Sequence, residues 1–282
     1  MHNVSCKLVF AIATSLLISA CVVHNDDNAA GAVLASDKGT DKYASKYDAD
    51  FGFLSGYLSR DSELPEVTYI LPKPPESEDP AYFYDFVQYE SGKTVRANDK
   101  ERFQLAKDDE NWGIGQLSRF SEVYGMELSL ENTTELWVLI QHSATDINNT
   151  VEKTKHEFFR PRPFVHFGEP SGKIEQEKYY IKTSSFPSGH TAFGWGIALI
   201  LSEINPACQE AIMSRGYDFG QSRVILGHHY QSDVDAGRIV ASMVVARLHS
   251  AAEFQLQMKK AKAEFAALKS KQTKYKKSRS GR

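Results

Sequence analysis

Several features are scarce in this chain, and each scarcity narrows what the protein can be. Three cysteines in 282 residues are too few for a disulfide framework. Basic charge is not in excess: 33 Lys and Arg stand against 36 Asp and Glu, for a net charge of −3, so a general nucleic-acid binder is disfavoured. No apolar run of transmembrane length follows residue 25, which excludes a multi-span membrane protein. With 18 Gly and 10 Pro the composition is neither collagenous nor of low complexity. No internal repeat, hairpin series or repeated βαβ pattern is visible. What remains, 41% hydrophobic, 11% aromatic and 24% charged residues, is the make-up of an ordinary globular protein with a sizeable core.

The N-terminus reads as an export signal. Residues 8–20 form a short apolar core after Lys7, too short to span a bilayer comfortably. The run ends in Ile18-Ser19-Ala20-Cys21, which resembles a bacterial lipobox: small residues admit the peptidase, and the Cys21 thiol carries the diacylglycerol. An ordinary signal peptide cut after Ala20 is the alternative. Either way the mature protein is expected to be exported to the periplasm or cell envelope, with a membrane tether if Cys21 is lipidated. Cys6 leaves with the signal, and Cys208 is expected as a buried free thiol. Residues 21–48, rich in Asn, Asp, Ala, Gly, Ser and Lys, read as a flexible tether.

From residue 49 onward the pattern is helical. Leu71-Pro72-Lys73-Pro74-Pro75 and the residues to Pro80 must be extended, because proline fixes its own φ and restricts its predecessor. Aromatics cluster at 81–90, and 98–111 is charged and helix-forming. Leu136, Ile140, Ala144, Ile147 and Val151 recur at helical spacing and predict a helix over 133–157. Residues 190–203 form an apolar, small-residue helix. Two more segments, 206–216 and 218–227, are separated at Gly216. Ser232 with Asp235 suggests a capping box that opens a last helix running to about Leu256. The class is all-α, a single helical domain over 49–256. Residues 257–282 read as a basic, disordered tail: Lys259 to Arg282 holds ten Lys or Arg and one acid, Glu264, for about +9 against about −12 elsewhere.

Three clusters carry chemistry. In the first, Lys155 precedes Arg160-Pro161-Arg162-Pro163, where the prolines end a helix and hold both arginines in extended backbone. In the second, Pro187-Ser188-Gly189-His190 opens the apolar helix, so a hydroxyl and free amides gather at a helix N-terminus, where anions are favoured. In the third, Ser222-Arg223 is followed by His229 and Asp233, an imidazole and a carboxylate at i, i+4 spacing. Each is weak alone. Their order and spacing are specific: Lys-x6-Arg-Pro, then Pro-Ser-Gly-His, then Ser-Arg-x5-His-x3-Asp, with 23 residues between Pro163 and Pro187 and 31 between His190 and Ser222.

This arrangement resembles the signature of the type 2 phosphatidic acid phosphatase and haloperoxidase superfamily, and within it the bacterial class A non-specific acid phosphatases. Phe83-Tyr84-Asp85, the run from Tyr89 to Arg96, the run from Tyr124 to Ser129 and the run from Gly216 to Arg223 extend the likeness over residues 60–250. The resemblance implies a compact helical bundle and a phosphate monoesterase without a metal or other cofactor. Lys155, Arg162 and Arg223 would neutralise the phosphate, with Ser188 and Gly189 completing the cradle. His229, oriented by Asp233, would attack phosphorus, and His190 would protonate the leaving group. Inorganic phosphate and vanadate would inhibit, and a homo-oligomer stays open. The lipobox, the basic tail and His228, where an aromatic is more usual, depart from the family pattern. His228 is read as a spectator. His24, His142, His156, His166 and His249 receive no role, and Asp146, Glu152 and Glu157 are read as helix-surface groups. A vanadate-dependent haloperoxidase, whose chains are usually much longer, and a lipid or isoprenoid pyrophosphate phosphatase are the alternatives on the same residues; a non-enzymatic lipoprotein that kept the fold is a third.

Overall fold

The computed structural model describes residues 55–110 and 113–280, with side chains through residue 272. The leader, Cys21 and the whole of the expected tether lie outside those residues. The described residues contain no strand and ten α-helices: α1 Pro80–Asn98, α2 Lys100–Asp108, α3 Ser121–Tyr124, α4 Thr134–Glu157, α5 Pro163–Phe167, α6 Ile174–Tyr180, α7 Gly189–Ile204, α8 Gln209–Leu226, α9 Gln231–Leu248 and α10 Ala252–Ser280. The all-α expectation holds. None of these helices is long and apolar enough to cross a membrane.

Helix α7 is the centre. Thirteen of its sixteen residues are buried, as its nearly all-apolar composition requires. It packs against α4, α8 and α9, while α10 lies along α4, and α1 and α2 cover α8. The periodic stripe on α4 faces this core: Leu136, Ile140, Ala144, Ile147 and Val151 are all buried. Each of the Leu, Ile and Val side chains among them contributes roughly 1.5–3 kcal/mol of burial. Cys208 is buried at the edge of this core, as expected.

Several local expectations are corrected. Gly216 does not break a helix; α8 runs through it, because a Cβ there would come 2.4 Å from that of Ala198 on α7, so its missing side chain brings the two helices together. The 98–111 segment divides at Asp99, which ends α1 and caps α2 by accepting the Arg102 N–H at 2.9 Å. The aromatic cluster at 81–90 lies on α1 and is divided between its two faces. Asp85, Tyr89 and Gly92 form the buried face of α1, whereas Phe83 is 70% exposed. Asp146 is not a surface group: it is fully buried and accepts the Tyr57 and Leu58 N–H groups at 2.8 and 3.3 Å.

The packed structure also continues past 256. Where a disordered tail was expected, α10 runs on to Ser280. Met258 and Ala261 are buried, and Phe265 packs on the core. Glu264, the single acid of this basic stretch, accepts the N–H groups of Glu135 and Leu136 at 3.1 Å each and so caps α4 from another helix.

Candidate active site

The site is assembled where three chain reversals meet. Helix α4 ends at Glu157, and the chain stays extended through Phe158 to Arg162, whose φ of −71° and ψ of 155° are what a residue before proline adopts. Helix α7 starts at Gly189 with Ser188 as its N-cap. Helix α8 ends at Gly227, whose left-handed φ of +73° turns the chain and delivers His228 and His229 between α8 and α9.

Arg162, His229, Ser188, His190, Arg223 and Asp233 are all buried, none more than 6% exposed. Arg162 Nη1 lies 2.9 Å from His229 Nε2 and 3.1 Å from the His228 carbonyl, and its other nitrogens donate to Thr183 and Ser184. A guanidinium can only donate, so Nε2 of His229 must present its lone pair. The ring proton is therefore on Nδ1, which faces Asp233 Oδ2 at 3.6 Å. His190 is in the opposite state: its Nε2 is 2.9 Å from the Glu110 carbonyl, an acceptor, so Nε2 carries a proton. The two histidines are thus set as a lone pair and a donor.

Their protonation follows from burial. His229 is pushed well below the usual imidazole range by burial, then by Arg162, Arg223 and Lys155. His190 is likewise lowered by burial and Arg223, against the pull of Glu110. Lys155, in the last turn of α4, is brought down to about 8 by burial, with Glu152 resisting at 3.6 Å and Arg162 adding to the fall. Burial, with Arg223 adding to it and Tyr180 opposing, takes Arg162 to about 10. The Ser188 hydroxyl accepts from the Thr191 hydroxyl at 2.8 Å, which leaves its own proton to donate. The Gly189 N–H opens a helix and has no intrahelical acceptor.

The relation of His229 to Asp233 differs from the expected helical turn. The α9 cap is Tyr230 rather than Ser232, and Asp233 sits at the third helical position with its Oδ2 2.8 Å from the Tyr230 N–H. His229 is ahead of the helix. The 3.6 Å separation is longer than a hydrogen bond, and contacts of this kind are often loose before substrate binds.

A match to the PAP2 superfamily covers residues 137–256, and all three clusters lie within it. The chain is 42% identical over 214 residues to a non-specific acid phosphatase of Providencia stuartii, covering 76% of this chain and 86% of that protein. It is 38% identical over 198 residues to a non-specific acid phosphatase of Salmonella typhimurium, covering 70% and 78%. An acid phosphatase of Zymomonas mobilis is 34% identical over 197 residues, 70% of this chain and 74% of its own. The chain belongs to the PAP2 superfamily.

Around these PAP2 residues the structure places supporting groups whose partners the sequence did not show. Arg160, unlike Arg162, does not face the histidines. It bridges Asp85 Oδ2 and Asp233 Oδ1 at 2.8 Å each, donates to Ser232 Oγ at 2.8 Å, and stacks 3.8 Å over Tyr230. Asp233 is raised by burial, and Arg160 is the main force resisting that rise. Ser222 serves structure, donating to Asp109 Oδ2 at 2.7 Å. His228 is no spectator. Fully buried, its Nδ1 lies 3.0 Å from Arg223 Nη2 and 3.2 Å from Glu110 Oε2, with Nε2 3.1 Å from Ser171 Oγ. Burial, with Arg223, lowers it to about 4. Glu110 pairs with Arg223 and Tyr180; burial would raise its carboxyl, but Arg223 and His228 hold it far below the carboxylate range. Asp85 had a signal in the Phe83-Tyr84-Asp85 run. Glu110, in Lys107-Asp108-Asp109-Glu110, had none.

Proposed function

We propose that this chain is an acid phosphatase that hydrolyses phosphate monoesters through a phosphohistidine on His229, without a metal. The observation that carries the reading is the opposed state of the two rings: Arg162 holds a lone pair on His229 Nε2, and the Glu110 carbonyl holds a proton on His190 Nε2. A nucleophile needs the first and a general acid the second. The relatives named acid phosphatases support the activity.

The phosphoryl group would lie among Lys155, Arg162, Arg223, the Ser188 hydroxyl and the Gly189 N–H, cations and donors that meet the charge developing on its oxygens. His229 Nε2 attacks phosphorus; the N–P bond forms as the ester P–O bond breaks. Asp233 stabilises the positive charge left on the ring. The departing alkoxide takes a proton from His190, which must be the imidazolium at that moment to leave a neutral ring. Neutral His190 then takes a proton from water, whose oxygen attacks phosphorus, and the N–P bond breaks to return His229 with its lone pair. The depressed His190 pKa places the imidazolium on the acid side, which suits an acid phosphatase.

The test is turnover of a panel of monoesters with EDTA present, together with rapid quench into base. A phosphohistidine should be trapped in the wild type and be missing from His229→Ala, with vanadate as a competitive inhibitor. Activity that EDTA abolishes and zinc or magnesium restores would refute metal independence. The adduct on His190 would reverse the roles.

A further inference from the structure

The phosphoryl-transfer reading gives no part to the carboxylate of Glu110, a buried acid beside the site. Glu110 is 4% exposed, and every polar contact described for its carboxylate and carbonyl is made with this site. Its Oε2 is paired with Arg223 Nη1, and Oε1 lies 3.5 Å from Arg223 Nη2. Oε2 is 3.2 Å from His228 Nδ1, and Oε1 accepts the Tyr180 hydroxyl at 2.7 Å. The Tyr180 ring in turn lies 4.4 Å from the Arg162 guanidinium. The main-chain carbonyl of Glu110 takes the His190 Nε2 proton at 2.9 Å.

Glu110 offers oxygens to the donors Arg223, Tyr180 and His190, and two of these donors are groups a phosphate monoester needs. Non-bridging oxygens would use the Arg223 fork, and the bridging oxygen would use His190 Nε2. Arg223 has five N–H groups in a fixed fork; the carboxylate occupies both terminal nitrogens, His228 faces one of them, and only Nε is buried without an acceptor. Arg223 and Ser188 are both 0% and His229 1% exposed, so the carboxylate is held on a buried fork.

We propose that Glu110 is a specificity-determining residue: its carboxylate occupies the Arg223 fork of the phosphate cradle and must be displaced by the substrate's phosphoryl group, while its main-chain carbonyl must give up His190 Nε2 to the bridging oxygen before attack. The proposal rests on the phosphatase reading above. Exchange favours a phosphate dianion, which brings one more charge and one more oxygen than the carboxylate it replaces. A monoanion such as a phosphodiester gains no charge in the exchange, so Glu110 raises the threshold most for monoanions.

Glu110→Gln keeps the shape and removes the charge. It leaves Arg223 buried without its counter-ion in the free protein but not in the phosphate complex, so affinity for phosphate should rise. The KM for p-nitrophenyl phosphate and the Ki of inorganic phosphate should both fall by about tenfold, the factor of one charge-assisted hydrogen bond, with kcat changing much less. Inorganic phosphate should raise the melting temperature of the variant more than that of the wild type. Tyr180→Phe, which removes only the hydroxyl holding Oε1, should lower KM by a smaller factor, and it decides the matter if Glu110→Gln does not fold. Values of KM and Ki that are unchanged or raised in both variants would overturn the proposal and make Glu110 a positioning residue for Arg223. A wild type that hydrolyses monoesters alongside such variants fails this proposal alone; a wild type that neither hydrolyses them nor binds phosphate fails the phosphatase reading.

Discussion

Arg160 is the residue on which the site's frame depends, and Arg160→Met tests that. The substitution keeps an unbranched side chain of similar reach but removes the guanidinium. Lost with it are the 2.8 Å bonds to Asp85, Asp233 and Ser232, a 3.2 Å bond to the Pro75 carbonyl, and the stacking over Tyr230. Asp85 and Asp233 are both fully buried. Neither is stripped bare: Asp85 keeps the Ser232 N–H and hydroxyl at 2.8 and 2.6 Å, and Asp233 keeps the Tyr230 N–H. The cost is therefore that of breaking one buried ion pair rather than two, about 3–5 kcal/mol. For a domain of this size that is a fall in melting temperature of roughly 6–20 °C.

The pH dependence gives a sharper check. Burial already raises the Asp233 pKa, and Arg160 opposes that rise, so the variant's carboxyl should titrate higher still. A carboxyl with a raised folded-state pKa contributes stability below its unfolded value and loses it as pH climbs through the folded value. The deficit of Arg160→Met should thus be largest at neutral pH and shrink under mild acid. Urea melts followed by circular dichroism at about pH 7 and about pH 5 read both quantities. A loss under about 1 kcal/mol, or an equal loss at both pH values, would refute the account of Arg160 as the counter-ion that keeps Asp233 charged.

Three further outcomes are expected. On an alkyl phosphate, kcat should decline as pH rises from an acid optimum, because the His190 imidazolium is lost above its depressed pKa; on p-nitrophenyl phosphate, whose leaving group hardly needs a proton, the decline should be shallower, and His190→Ala should erase much of the difference. Glu264→Gln should destabilise by about 1 kcal/mol through the weakened cap on α4, measured by thermal melting, and truncation after 256 should cost several times more than truncation after 266, since Met258, Ala261 and Phe265 go with it. Cys21→Ala should release the protein from the membrane fraction of its host or block processing, and a soluble mature protein beginning at an unmodified Cys21 would refute lipidation.

What the sequence made legible is what lies close along the chain. The α4 stripe repeats every three or four residues, so its helix was placed to within one residue. The three clusters each hold their members within twelve residues or fewer, so their order and spacing carry the family resemblance that implies roles for Lys155, Arg162, Ser188, His190, Arg223, His229 and Asp233. The partners that position them come from far away: Asp85 is 75 residues from Arg160, and Glu110 is 113 from Arg223. No period or local motif links such pairs; only the fold does. The α9 cap was misplaced because Ser232 has the chemistry of a cap and Tyr230 does not, yet the chain turns at Tyr230, and Ser232 is spent on Asp85. His228 shows the limit most clearly. Its ring nitrogens face Arg223 and Ser171, whereas those of His229 face Arg162 and Asp233. Reading it as idle was not sound. An imidazole where an aromatic is usual keeps the flat ring, which lies edge-on to Tyr180 and Phe164, and adds two nitrogens that reach Arg223 and Ser171. Glu110 is buried beside it, with Oε2 3.2 Å from His228 Nδ1, so neither the departure at 228 nor the acid at 110 could be interpreted from the sequence without the other.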